Sequence, residues 1–193
     1  MKHPAEELRR LITSVEWGLA RGLEERELLP MLERLAARAA GGSPEALLAQ
    51  LELAERTVAR KPWRAALLAR RVLAHSEEAR AWSVLGLAHT LLGNYRSARR
   101  AYLRALALRP SCLASNHNLG HLLDAALGQP RAALRYLEAA HRAHPADEEI
   151  AGSYAHALAR AGRRDRAVQI LSESLADPER AEALIDRWLA TSF

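Results

Sequence analysis

The sequence predicts an all-α fold, an array of helix-turn-helix units with a helical pair in front and a covering helix behind. Three observations lead there. The apolar residues are mainly Leu and Ala, with few β-branched residues and 5% aromatics, a mix that loses little rotamer freedom in a helix. Small residues recur at a near-constant step through successive hairpin-length segments. Gly and Pro fall where those segments should turn or stop.

Taken in order, residues 1–43 read as a helical pair. Leu8, Leu11, Ile12, Val15 and Leu19 form one stripe, and Leu32, Leu35, Ala36 and Ala39 another. Pro30 suits the first turn of the second helix. Gly41-Gly42 then breaks the chain, and Ser43-Pro44 reads as an N-cap followed by a first-turn proline. Residues 44–78 form a degenerate unit in which Leu53, Ala54, Thr57, Trp63, Ala66 and Leu73 keep the repeat step, with Ala54 facing Ala66 and Arg70 at an aromatic position.

Residues 79–112 carry the clearest signature: Trp82, Leu85 and Gly86, then Ala98, Tyr102 and Pro110. Residues 113–147 repeat it with Asn116, Leu119, Gly120, Ala133, Leu137, Ala140 and Pro145. Here Ala133 falls thirteen residues after Gly120, where Ala98 falls twelve after Gly86, so one extra residue is expected near the turn at Gly128. Residues 148–178 repeat it through Ala151, Tyr154, Ala155, Leu158, Gly162, Ala167, Leu171 and Pro178. Gly86, Gly120 and Ala155 should let each first helix cross its own second helix closely. Gly93, Gly128 and Gly162 should end the first helices, and Pro110 and Pro145 the second ones. Residues 179–193, with Leu184, Ile185, Trp188 and Leu189, supply the helix that covers the last unit.

This Trp, Leu-Gly, Ala, aromatic and Pro pattern over 34 residues resembles the tetratricopeptide repeat. The resemblance spans about residues 44–190 and implies an α-solenoid whose first helices line a concave groove for peptides or helices. Carried onto this chain, the groove residues are Leu48, Leu51, Glu55 and Val58, then Arg80, Ser83, Leu87 and Thr90. They continue with Ala114, His117, His121 and Asp124, and with Glu149, Gly152, His156 and Ala159. Asn118 stands where the family often has a backbone-gripping Asn, but Glu52, Val84 and Ser153 hold the matching positions. With Arg80 the one candidate carboxylate partner, no terminal-carboxylate clamp is expected. The apolar early end of the groove should either bind a partner helix or be filled by the N-terminal helices. The implied function is a non-enzymatic protein-binding module: an adaptor, co-chaperone or assembly factor. The alternative is a secretion-type chaperone for a specific client.

Other chemistries find less support in the residues. His117 and His121 lie four apart on one helical face with Asp124 three further on, a spacing that can hold zinc, but two histidines without Cys make a weak site and no metal or cofactor is expected. Residues 79–112 hold six arginines and no acid, which accounts for the whole net charge of +5. Arg96, Arg99, Arg100 and Arg104 should form a basic patch on the outer face, with Arg64, Arg70 and Arg71 on the preceding outer helix. That patch suits nucleic acid or an acidic partner, yet it lacks stacking aromatics, which disfavours nucleic acid. No Gly-rich phosphate loop or catalytic constellation appears. Cys112 is the sole cysteine, so no internal disulfide forms, and no apolar run is long enough to span a membrane. A cytoplasmic location is expected, with self-association through the N-terminal helices a further expectation.

Overall fold

The computed structural model describes residues 4–190. Its eleven α-helices are α1 (Pro4–Ala20), α2 (Glu25–Arg38), α3 (Pro44–Thr57), α4 (Pro62–Leu73), α5 (Ala79–Leu91), α6 (Tyr95–Leu108), α7 (Leu113–His121), α8 (Pro130–Ala143), α9 (Glu148–Arg160), α10 (Arg164–Leu175) and α11 (Pro178–Ala190). The described residues contain no strand, and no helix among them is long and apolar enough to cross a membrane. The chain divides into two compact units, Met1–Asn94 and Tyr95–Phe193.

In the first unit each helix packs on the next, α1 on α2 through to α5, and α3 also packs on α5. This places α3 and α5 in one layer with α4 behind them. Helix α1 packs on α2, and α2 on α3; the N-terminal pair thus extends the stack. Ser43 caps α3 by accepting a hydrogen bond from the Ala46 N–H at 3.2 Å, with Pro44 in the first turn.

Three expectations are corrected here. Pro30 lies inside α2, because the helix already begins at Glu25, where Glu25 and Glu27 in the first turn complement the helix dipole. Trp63 is 64% exposed and Ala66 half-buried, whereas Ala65, Ala69 and Val72 are buried. The core-facing set of α4 therefore sits one residue earlier than the expected Ala66 and Leu73, while Arg70, expected on the outer face with Arg71, is exposed. Ala65 falls eleven residues after the buried Ala54, so this hairpin is one residue short.

In the second unit α6, α8 and α10 form one layer, and α7, α9 and α11 the other, with α7 on α9 and α9 on α11. Tyr102, Leu119, Leu137, Leu158, Ile170 and Ile185 are the large side chains at its centre. Asn116, which replaces the expected aromatic, is buried and donates to the carbonyls of Pro110 (2.9 Å) and Cys112 (3.0 Å), tying down the turn before α7. Gly120 is required by close packing, since a Cβ there would meet Leu137 Cγ at 2.4 Å. Helix α11 packs on both α9 and α10, with Ile185 fully buried.

The extra residue between Gly120 and Ala133 is not in the turn. Residues Leu122–Ala126 continue α7 as a π-helical segment, closed by the Leu127 N–H to the Leu122 carbonyl at 3.0 Å. The turn itself, Leu127-Gly128-Gln129, has the same three-residue length and central left-handed Gly as Ala161-Gly162-Arg163. The turn geometry has been kept and the insertion absorbed in the helix, as π-bulges do.

Candidate partner-binding face

In the first unit the layer of α3 and α5 is bridged by charge. Arg80 on α5 donates through Nε to Glu55 Oε1 at 2.9 Å and through Nη2 to Glu55 Oε2 at 2.5 Å. The same Nη2 reaches Glu52 Oε1 at 2.7 Å, and Arg56 pairs with the other oxygen of Glu52. Glu52 is buried, a position a carboxylate tolerates only when its lone pairs are satisfied. These hydrogen bonds to Glu55 raise the Arg80 pKa above the ordinary guanidinium value, against the opposing effect of burial. Arg80 is thus committed to two internal carboxylates and does not stand open as a carboxylate clamp. His89, on α5, has its pKa lowered by burial and then by nearby Arg70, and its buried Nδ1 has no hydrogen-bond partner among the described residues.

In the second unit the corresponding layer is tied by the π segment. The widened turn carries Asp124, which is buried. Asp124 Oδ1 and its backbone carbonyl accept from Arg160 Nη1 at 2.7 and 2.6 Å, and Oδ2 accepts from His156 Nδ1 at 2.5 Å. A carboxylate facing Nδ1 fixes the imidazole tautomer and its orientation. The His156 ring meets Trp188 of α11 edge-on at 5.2 Å between centroids. One helix earlier, His117 Nε2 shares a 3.1 Å hydrogen bond with Ser153 Oγ. Burial lowers the His117 pKa, and the neighbouring His121 lowers it further, while Glu149 and Asp147 oppose the shift.

The sequence-derived stripe separates into two kinds of residue. Leu51, Val58, Asp124 and Ala159 are buried and support the face without presenting a side chain from it. Leu48, Glu55, Arg80, Ser83, Leu87, Thr90, His117, Asn118, Gly152 and His156 are half-exposed; Ala114, His121 and Glu149 are exposed. The structure brings together Glu55 with Arg80, His117 with His121, and Asp124 with His156.

Sequence reasoning passed over Glu52, Arg160, Ser153 and Trp188 as working parts of this face. A signal existed for Arg160, which lies four residues beyond His156 and so on the same side of α9. The ring centroids of His117 and His121 are 6.4 Å apart, and Asp124 is taken up by His156 and Arg160. Among the described residues no group of three or more His, Cys, Asp or Glu is placed to hold a metal ion. Arg96, Arg99, Arg100 and Arg104 are all exposed on α6, with Leu103 among them.

Comparison with known proteins bears on this geometry. Models described as tetratricopeptide repeat match residues 79–112 and 124–183. These stretches of the chain are tetratricopeptide repeats.

Solved structures share the repeat fold. A crystal structure of MamA superposes with a TM-score of 0.66 at 20% identity over 88% of this chain and 96% of that one. A MamA double mutant gives 0.70 at 17% identity over 94% and 98%. YrrB, described as a tetratricopeptide repeat protein with an unusual peptide-binding site, gives 0.63 at 21% identity over 76% and 79%. Protein FlbA of Caulobacter vibrioides is 34% identical over 102 residues, which make up 52% of this chain and 17% of FlbA. This tetratricopeptide chain therefore matches only a small part of that relative's length.

Proposed function

We propose that this tetratricopeptide chain is a non-enzymatic protein–protein interaction module that receives a peptide or helix of a partner protein on the layer of its first helices. The observation that carries the reading is the pre-ordered polar face of the second unit. His117 is held by Ser153, and His156 is held between Asp124 and Trp188, yet both imidazoles remain half-exposed. Side chains already locked before binding lose less freedom when a partner arrives, so such a face favours recognition. Asn118 follows His117 in sequence and is half-exposed, and Glu149 is exposed and near enough to His117 to act on its charge. The peptide-binding site ascribed to YrrB supports the same use of the fold.

An adaptor, co-chaperone or assembly-factor role follows from that reading, with a client-specific chaperone as the second form. A photo-crosslinking residue placed at Asn118 or Gly152 should capture a partner protein in cells, while one at Arg135 on the opposite layer should not. His117→Ala/His121→Ala should weaken that capture with the helical circular dichroism unchanged. Equal capture from both layers would overturn the reading. Rescue of one insoluble client on co-expression would favour the chaperone form, and joining of folded proteins the adaptor form.

A further inference from the structure

Helix α4 buries Ala65, Leu68, Ala69 and Val72 and leaves the opposite side to solvent. That side carries Trp63, 64% exposed, and Leu67, 46% exposed, four residues apart and so on one face. Arg70 and Arg71 follow one turn later, both exposed, and α4 contains no acid. Of the neighbouring arginines, Arg64 pairs with Glu33 at 2.8 Å and Arg60 pairs with Glu25. Arg70 and Arg71 form no ion pair among the described residues. An exposed tryptophan beside a leucine and two uncompensated arginines has the composition of interface hot spots, where Trp and Arg are enriched.

We propose that the solvent face of α4 docks an acidic amphipathic helix of a partner protein, a surface separate from the face described above. Charge and shape choose this occupant. The positive charge calls for carboxylates, which Arg engages bidentately. The Trp63–Leu67 pair at helical spacing calls for apolar residues spaced likewise on the partner. Nucleic acid would satisfy the arginines but leave Leu67 without an apolar contact. A bilayer would need a wider apolar face than this single pair. The second unit repeats the chemistry on α6, where Leu103 and Leu108 are exposed among Arg96, Arg99 and Arg100 and no acid is present.

The test uses the full chain and three fluorescently labelled amphipathic helical peptides with identical apolar residues and polar faces of Glu, Gln or Lys. The Glu peptide should bind about tenfold or more tightly than the Gln peptide, with the gap narrowing as salt is added. Trp63→Ala/Leu67→Ala should abolish Glu-peptide binding, and Arg70→Glu/Arg71→Glu should shift preference to the Lys peptide. All four side chains are exposed, so circular dichroism and melting temperature should hold. His117→Ala/His121→Ala should leave Glu-peptide binding unchanged, which separates this surface from the other layer.

Equal binding of the three peptides, or a preference that survives the α4 substitutions, would overturn the proposal. So would binding of phosphatidylserine vesicles or a nucleic-acid duplex that depends on these same residues in place of peptide binding. Dimerisation lost on Trp63→Ala/Leu67→Ala would assign the face to a second copy and overturn it likewise.

Discussion

The two units contain hairpins of the wrong length in opposite senses, and they resolve the error in different places. The α3–α4 hairpin is one residue short from Ala54 to Ala65, and the α7–α8 hairpin one long from Gly120 to Ala133. The regular α9–α10 hairpin takes twelve from Ala155 to Ala167. In the first unit α3 simply stops early, at Thr57, and a Gly-free turn leads to Pro62. In the second unit the turn stays regular and the helix widens into the π segment. A shortened helix costs only fraying at an end. A widened helix re-aims the residues near it, and Asp124, inside this segment, is buried. The same requirement, a polar tie between successive first helices, is met by Arg80 with Glu52 and Glu55 in one case and by Asp124 with His156 and Arg160 in the other.

The sharpest way to break this comparison is Asp124→Ala. Removing a buried carboxylate leaves Arg160 and His156 facing an unfilled polar site, so unfolding free energy should fall by about 2–4 kcal/mol, read by denaturant melts. The coupling to the insertion is checked by deleting Ala125. That variant should keep its helical circular dichroism, and in its background Asp124→Ala should cost only about 0.5 kcal/mol. A full cost in both backgrounds would show that the π segment does not position Asp124.

Arg80→Ala tests the tie in the first unit. Because Arg80 is 38% exposed and Arg56 still serves Glu52, solvent screening limits the loss to about 1–2 kcal/mol. Arg80→Lys should recover less than half of that, since one ammonium cannot reproduce the forked contacts to two carboxylates.

The pH response sharpens the comparison further, for each unit holds a histidine with a lowered pKa. His89 and His117 resist protonation in the folded state because of burial, while the unfolded chain takes up protons near 6.5. Stability is therefore retained above about pH 6.5 and lost as pH falls below it. His89→Gln and His117→Gln should each flatten the stability profile below about pH 6.5, measured against the parent chain. The smallest effect belongs to Ala176, at φ 51° in the left-handed region. Ala176→Gly should raise stability by about 0.5–1 kcal/mol, the conformational penalty being removed.

Most helices and their ends were legible in the sequence, because small residues, glycines and prolines mark crossings and turns directly. Tyr102 and Leu137 in the core, and left-handed Gly128 and Gly162, follow from those marks. What spacing does not carry is where a length change is absorbed. A surface turn is the cheaper place for an added residue, and only burial of Asp124 against Arg160 explains why the helix took it. The α4 register was misassigned for the converse reason. A step of twelve sets Ala66 against Ala54, whereas this hairpin takes eleven, and the shift leaves Trp63 and Leu67 on the outer face beside Arg70 and Arg71. The face residues were legible as a stripe, but which of them are buried depends on partners one repeat away.

The Asp124 arrangement also limits how these repeats can be rearranged. The carboxylate comes from the end of the first helix of one hairpin, and both groups that satisfy it come from the first helix of the next. Transplanted ahead of any other repeat, that hairpin would arrive with a desolvated acid and nothing to meet it. The two hairpins are keyed to one another in order, so shuffling or duplicating them as interchangeable modules would have to move them as a pair.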